Sequence, residues 1–444
     1  MKPIFEQERQ FLNKTLKIEL PTDCWRKSSK IYLDCTCEKP IYQFKVENGL
    51  MKITKNNEKL FNEYSQLKIP DLIEKYNHQI LELEKKSIQK TIQYIKDHKN
   101  DKYVVGHSSG KDSTLMYAIW LKSLEKLQDE IQDINWGINF ANTSNETADT
   151  FLYIKNELPR ERLNILNPKI GFYQWIVNVK DYFIPSVMVR NCCSTYKEGQ
   201  IDKYYDRKEK ITMVLGMRKY ESSKRSKYDY IMDYDYIEQV LKIKPKIPKT
   251  WIKFNPIVEW HDEEVWLYIL KEGLKYNNQY NVGFNRCGCL ICPYQSDYID
   301  LLIEEHYPSQ WNRWMVILEK NYEMYDVVNR LKWTLDEWKR GKWKQGTSKE
   351  QELIHKKATK ERIKELADLK GISEHIAEKY FNKKCNCGKK LNSDEIAINF
   401  KIYGRNIDLS KLQCKKCFCE SNNMSGKDYV KMVHEFRDSG CELF

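Results

Sequence analysis

The stretch KYVVGHSSGKDSTLMYAIWLKSLEKL, residues 102–127, constrains this chain more than any other. Its first part, KYVVGHS (102–108), is a short apolar run of the kind that forms a buried strand. Its last part, DSTLMYAIWLKSLEKL (112–127), spaces its apolar residues at helical period. Between them lie Gly106, Ser108, Ser109, Gly110 and Lys111. A strand that turns through glycine and serine straight into a helix aims backbone amides at one point, and anions are favoured there. Ser108, Ser109 and Ser113 can donate to phosphate oxygens, and Lys111 adds a charge. Ser113 is also placed to cap the helix, and Asp112 to help hold Mg²⁺ or start the helix. The glycines stand too close to the lysine for a Walker loop.

The same alternation continues downstream. INWGINFAN (134–142) reads as a strand and ETADTFLYIKNEL (146–158) as a helix, while LNILN (163–167) and ITMVLGM (211–217) read as further strands. Strands alternating with helices predict an α/β fold, a doubly wound parallel sheet. Around it the chain divides into a small β-rich N-terminal element (1–55) and a helical segment (56–99). The sheet domain covers 100–295. A helical, Trp-rich region with basic residues over 343–370 occupies 296–380, and a cysteine-bearing module occupies 381–444.

No run of 18 apolar residues occurs, so no membrane span is expected. The opening MKPIFEQERQ is charged and predicts no secretory signal and a cytoplasmic location. A net charge of +12 suits a polyanionic partner such as nucleic acid, and equally a lysine-rich surface. The 14 cysteines are more informative, because they fall in short-spaced clusters. In a reducing compartment that pattern points to metal rather than to disulfides.

The loop resembles the SGGKDS loop of the PP-loop ATP pyrophosphatases, with Ser109 in place of the middle glycine. Three further segments, in order, are similar to the phosphoadenosine phosphosulfate (PAPS) reductase family. FANTSNETADT (140–150) carries Asn142, Thr143 and Glu146 at a strand end. GMRKYESSKR (216–225) carries Gly216, Arg218, Ser222 and Arg225. NPIVEWHDEEVWLYI (255–269) matches the segment that follows. The resemblance implies a PP-loop fold, Rossmann-like and of HUP type. It implies an adenine nucleotide ligand (ATP, PAPS or adenylyl sulfate) with Mg²⁺. Lys111, Asp112 and Arg218 would do the chemistry, and the other residues named would contact the nucleotide.

Members of that family with iron–sulfur clusters carry a Cys-Cys pair and a later Cys-x-x-Cys. Here RNCCSTYKEGQ supplies Cys192 and Cys193, and RCGCLICPY supplies Cys289 and Cys292, which implies a [4Fe–4S] site. Zinc is the alternative there, and Cys287 is an extra thiol that could replace a neighbour. In the tail, CNCGKK and LQCKKCFCE resemble a zinc ribbon, with Cys385, Cys387, Cys414 and Cys417 as ligands and Cys419 as a possible substitute. Cys24, Cys35 and Cys37 stay unassigned between core and metal. Cys441 sits in a Gly-Cys-Glu context, which differs from the tail cysteine of the reductases and reads as a thiol without a role.

Two chemistries compete on this fold. One is a sulfurtransferase that cleaves ATP at the α-phosphate, adenylylates an acceptor and lets sulfur displace AMP. The other is a PAPS or adenylyl-sulfate reductase that releases sulfite. In the reductases the Gly-Lys-Asp core of the loop has drifted, as the resemblance implies, whereas Gly110, Lys111, Asp112 and Ser113 are intact here. This favours the sulfurtransferase, in the style of DNA phosphorothioation enzymes, with nucleic acid as acceptor and a cysteine desulfurase as possible sulfur donor. A non-catalytic nucleotide-binding module is the third reading. The sequence leaves the acceptor and the oligomeric state open.

Overall fold

A computed structural model describes residues 1–131, 133–180, 182–187, 191–344 and, with gaps, 360–438. These form two compact units, Met1–Val328 with Trp333–Gly346, and Asn329–Lys332 with Thr347–Phe444.

The first unit contains two sheets. Strands β1 (Lys2–Pro3), β2 (Trp25–Lys27), β3 (Lys30–Tyr32), β4 (Tyr42–Glu47) and β5 (Leu50–Asn56) form an antiparallel meander in chain order. A helix, α1 (Glu6–Leu16), is inserted after β1, so the N-terminal element is not purely β. Helix α2 (Ile69–Asp97) then leads to the central sheet. Its buried positions include Leu72, Ile80, Ile88 and Ile95, which lie on one face at helical spacing.

The central sheet has the order β10-β11-β9-β6-β7-β8. Its strands are β6 (Lys102–Gly106), β7 (Trp136–Ala141), β8 (Leu163–Leu166), β9 (Ile211–Val214), β10 (Ile231–Met232) and β11 (Trp251–Phe254). All pairings are parallel except β10 with β11. This is the doubly wound sheet that the alternating pattern predicts. Helix α3 (Lys111–Leu127) crosses from β6 to β7, and α4 (Ala148–Glu157) crosses from β7 to β8. The chain then returns past β6 to lay down β9 on its other side. The strand order therefore reverses at β6, and a crevice opens at the carboxyl ends of β6 and β9, where such sheets bind ligands. Strands β10 and β11 are short and were not evident as strands in the sequence.

Burial explains the packing. Val105, Ile138, Phe140 and Val214 from the strands meet Leu115, Met116, Ile119 and Trp120 from α3 in one core, which also takes in Trp25 of β2. After β11, helix α5 (Asp262–Lys271) packs Val265, Trp266, Leu267 and Ile269 into that core. A buried ionic knot joins the N-terminal sheet to the segment 277–284. Glu8, fully buried, accepts from Lys2 Nζ at 2.5 Å, Arg26 Nε at 2.6 Å and Tyr298 OH at 3.0 Å. Arg26 Nη2 continues to the carbonyl of Gly283 at 2.7 Å, and Lys2 Nζ to that of Tyr280 at 3.3 Å. A buried carboxylate tolerates desolvation only when paired and hydrogen-bonded in this way.

In the second unit the described residues are mainly helical, with α6 (Ser393–Tyr403), α7 (Lys415–Ser421) and α8 (Gly426–Asp438). The cysteine spacing resembles a ribbon, and the described residues that carry its second pair are helical.

Candidate functional site

The loop after β6 is tightly self-bonded. Ser109 adopts φ +61, a left-handed conformation that glycine enters freely and serine does not. Two contacts hold it there: its N–H donates to His107 Nδ1 at 3.1 Å, and its Oγ accepts from Asn277 Nδ2 at 2.8 Å. Asn277 is fully buried and also donates to Thr150 Oγ1 of α4 at 3.1 Å. Burial pushes His107 down to about 3, which keeps it neutral as the acceptor of that N–H. The Ser108 N–H donates to Ser113 Oγ at 3.2 Å, and the Lys111 N–H donates to Tyr280 OH at 2.9 Å. Ser113 does not cap the helix as expected; its hydroxyl donates back to the carbonyl of the cap residue, Gly110, at 2.8 Å. Three loop amides thus point at protein acceptors, and the cationic character of the crevice rests on side chains.

Those side chains are Lys111 and Arg218, which converge from the loops after β6 and β9. Gly216 makes the convergence possible. A Cβ there would lie 2.7 Å from the Asp112 carbonyl oxygen and 3.0 Å from the Ser113 nitrogen, so only glycine lets the two backbones touch. Lys111 Nζ stands 2.9 Å from Asp112 Oδ2 and 3.0 Å from Asp262 Oδ1. Arg218 donates from Nε to Asp112 Oδ1 at 2.6 Å, from Nη2 to Asp262 Oδ1 at 2.5 Å, and from Nη1 to the Trp260 carbonyl at 3.0 Å. Burial alone would raise the Asp262 carboxyl. The charges of Lys111 and Arg218 outweigh burial and hold it well below the usual carboxylate range. Asp262, Tyr280 and Asn277 were not singled out in the sequence. The only hint of Asp262 was the acidic run HDEE at the start of α5.

Of the other nucleotide-side candidates, Arg225 is linked to this network through Glu221, which accepts from the Arg218 N–H at 3.0 Å. Arg225 pairs with Glu221, and Ser222 is exposed. Asn142 is absorbed in a turn, donating to Asn167 Oδ1 at 2.7 Å and accepting from the Ser144 N–H at 2.7 Å. Thr143 and Glu146 bond each other, with the Thr143 N–H donating to Glu146 Oε1 at 3.0 Å. Thr143 Oγ1 lies 3.5 Å from Cys289 Sγ. Both residues therefore face the cysteines rather than Lys111.

Cys192, Cys193, Cys289 and Cys292 line one recess, together with Thr143 and Lys197. The Cys289–Cys292 loop is clamped by Asn145, which is 3% exposed. Its Nδ2 donates to the Ile291 carbonyl at 2.8 Å, its Oδ1 accepts from the Ile291 N–H at 3.2 Å, and its own carbonyl accepts from the Leu290 N–H at 2.5 Å. Two cations border the recess. Lys197 is raised by Cys289, against burial, and Arg286 Nη2 stands 4.0 Å from Cys292 Sγ. Cys193 and burial, with Cys289 and Cys292 adding, push the Cys192 thiol up. Cys287 does not line this recess. It is half-buried against Tyr280, on the side of Lys111, and burial pushes its thiol up.

In the second unit Cys385, Cys387, Cys414 and Cys417 bring their sulfurs within 4.8 Å of one another and could hold a metal ion. The Cys387 and Cys414 sulfurs are 3.7 Å apart, against about 3.8 Å for a tetrahedron with ~2.3 Å zinc–sulfur bonds. The turn is closed by Cys385 N–H to Lys389 O and Gly388 N–H to Cys385 O, both at 2.8 Å. Glu395 fixes the other pair, accepting from the Lys415 N–H at 2.8 Å. Cys419 turns away into the cluster of Ile398, Phe418, Tyr429 and Val433. Among the described residues, Cys24, Cys35 and Cys37 are not part of such a group; Cys24 and Cys35 are buried, which pushes both thiols up to about 12. Cys441 lies outside the described residues.

The basic features read from the sequence are partly neutralised. Lys344 is buried and ion-paired with Asp300, and lies 3.2 Å from Asp297, while residues 345–359 lie outside the described part. Lys389 pairs with Glu395 at 3.0 Å, and Lys415 lies over the Tyr429 ring. Among the described residues, no helix is long and apolar enough to cross a membrane.

Residues 102–295 match the phosphoadenosine phosphosulfate reductase domain. An uncharacterized protein of Methanocaldococcus jannaschii is 29% identical over 279 residues, 62% of this chain and 60% of its own length. A second protein of that archaeon is 29% identical over 226 residues, 50% of this chain and 43% of its own. The chain thus spans less than two thirds of either relative. The adenosine 5'-phosphosulfate reductase of Geobacillus kaustophilus is 26% identical over 199 residues, 43% of this chain and 73% of that enzyme. Among solved structures, the PAPS reductase of Candida auris in a phosphate complex is 15% identical with a TM-score of 0.32, covering 49% of this chain and 93% of that one.

Proposed function

We propose that the chain, whose residues 102–295 match the PAPS reductase domain, is an ATP-splitting sulfurtransferase of the PAPS reductase and PP-loop superfamily. The carrying observation is the pair of buried cations, Lys111 and Arg218, meeting at the carboxyl ends of β6 and β9. The phosphates of an adenine nucleotide sit against this pair, Arg218 by its planar fork and Lys111 as a point charge. Asp112, beside both, offers a hard oxygen ligand that suits Mg²⁺. An acceptor oxygen attacks the α-phosphorus, the α–β bridge breaks, and pyrophosphate leaves toward the cations. Sulfur then displaces AMP as hydrosulfide; where a donor protein such as a cysteine desulfurase carries it as a persulfide, a thiol reductant supplies the two electrons that cleave the S–S bond and is itself oxidised to the disulfide. Preorganised charge at the leaving group is the term this site supplies.

Cys192, Cys193, Cys289 and Cys292 share one recess and, as four thiols, suit a [4Fe–4S] cluster. When bound, such a cluster supplies iron that can ligate sulfur or pass electrons. Lys197 and Arg286 offset the thiolate charge there, and Asn145 sets the loop. Cys385, Cys387, Cys414 and Cys417 suit Zn²⁺. Nucleic acid is the proposed acceptor, supported by the net charge of +12 and tested by whether binding weakens steeply with salt.

The second reading is an adenylyl-sulfate reductase, favoured by the relatives of that name and by the cysteine recess. One anaerobic experiment separates the two. Labelled ATP with nucleic acid should give AMP and pyrophosphate, and Lys111→Ala should lower that turnover by about 100-fold or more. Sulfite released from adenylyl sulfate, with ATP left intact, would establish the reductase instead.

A further inference from the structure

The Nε and Nη2 edge of an arginine matches one planar or tetrahedral oxyanion, with two parallel N–H groups donating to two oxygens of the same group. In Arg218 that edge is divided between two side chains, Nε to Asp112 and Nη2 to Asp262. Lys111 touches the same two carboxylates, at 2.9 and 3.0 Å. Two cations face these two carboxylates, and the Met1 amino group, 3.7 Å from Asp262 Oδ2, is paired with Glu263 at 2.5 Å, so the group carries no net charge and the crevice in this state has little to attract a phosphate.

The two carboxylates are not equally fixed. Asp112 follows Lys111 in the loop, and its carbonyl is pressed against Gly216. Asp262 is the first residue of α5, with a side chain 46% exposed, whereas Lys111 and Arg218 are 7% and 2% exposed. Lys111 and Arg218 are held by burial, and Asp262, whose side chain already reaches water, is the member that can turn outward, exchanging its ion pairs with them for hydration and the Met1 amino group 3.7 Å from its Oδ2.

We propose that Asp262 is a built-in competitor for the oxyanion seat of Lys111 and Arg218. Its carboxylate fills the place of a ligand oxygen in the free protein and leaves when a phosphate or sulfate group enters. Its departure changes the cluster from neutral to a single positive charge, which then faces the incoming anion. This rests on the reading that the seat takes the oxyanions of a nucleotide. Those could be the phosphate chain of ATP or the sulfate end of an adenylyl sulfate.

The test is calorimetric titration of the full-length chain with inorganic pyrophosphate and, separately, with sulfate, at constant ionic strength and without divalent metal. Asp262→Asn should bind pyrophosphate at least tenfold more tightly than the parent, and Asp262→Glu should stay within about threefold of it. A merely structural role for Asp262 would weaken binding, not tighten it. Lys111→Ala should abolish binding in both backgrounds. A gain confined to sulfate would assign the seat to the sulfate end. If the parent binds and Lys111→Ala does not, but Asp262→Asn gains nothing, the competitor is disproved and the seat stands. If no anion binds to any variant, or Lys111→Ala binds like the parent, the seat itself is wrong and the competitor falls with it. Should the asparagine variant fail to fold, Asp262→Ser gives the same measurement.

Discussion

The molecule gathers cysteines in two sets of four, and the sets are built on different principles. In the first unit Cys192 and Cys193 come from one helical turn and Cys289 and Cys292 from a distant loop. They line a recess bordered by Lys197 and Arg286 and held in register by Asn145. In the second unit two short-spaced pairs converge until their sulfurs lie within 4.8 Å. The first set sits against a core that exists without it. The second belongs to a small apolar cluster of Cys385, Leu391, Leu412 and Cys414, with a further one of Ile398, Phe418, Tyr429 and Val433, and clusters of this size support a fold poorly without a metal. On the proposed reading, the same residue type would serve chemistry in the first place and architecture in the second.

Removing a ligand from the tail set tests this most severely. Cys414→Ser should release the metal and unfold the second unit, because structural zinc contributes on the order of 10 kcal/mol to such modules. Metal analysis and proteolysis would read the loss, and a protease-resistant zinc-free module would break the comparison. Cys292→Ser should remove iron, bleach the visible absorbance of anaerobic protein and leave both zinc and the thermal transition of the first unit in place. Loss of zinc in that variant, or two zincs and no iron in the parent, would mean that the two sets are alike. Asn145→Ala should lower the stability of the first unit by about 1–3 kcal/mol, through the unsatisfied backbone groups at Ile291. It should also lower iron content without touching zinc, as iron assay and thermal melting would show. The smallest change is expected from Cys419→Ser, with one zinc retained and stability within about 0.5 kcal/mol.

The sheet was legible because each of its major strands carries its own apolar run and is followed by helical periodicity. The short strands Ile231–Met232 and Trp251–Phe254 were not, since two to four residues hold too little pattern. The first helix, EQERQFLNKTL, was hidden by the alternating runs around it. At the site, Lys111 and Arg218 could be named because loop motifs are local in sequence. Asp262, Tyr280, Asn277 and Asn145 could not, because each acts on a partner brought near only by folding. Thr143 and Glu146 were legible as a motif but not in orientation. Their facing toward Cys289 depends on where the Cys-x-x-Cys loop docks.

Gly216 touches the backbone of Asp112 with no side chain between them. A joint of that kind has no rotamer to change and no volume to trim. The spacing of the two loops that carry the buried cations is therefore set at this point by bare main chain, where trimming a side chain changes nothing. Any retuning of this crevice toward a longer or shorter ligand, by natural drift or by an engineer, has to come from its outer wall. The inner wall is a fixed gauge.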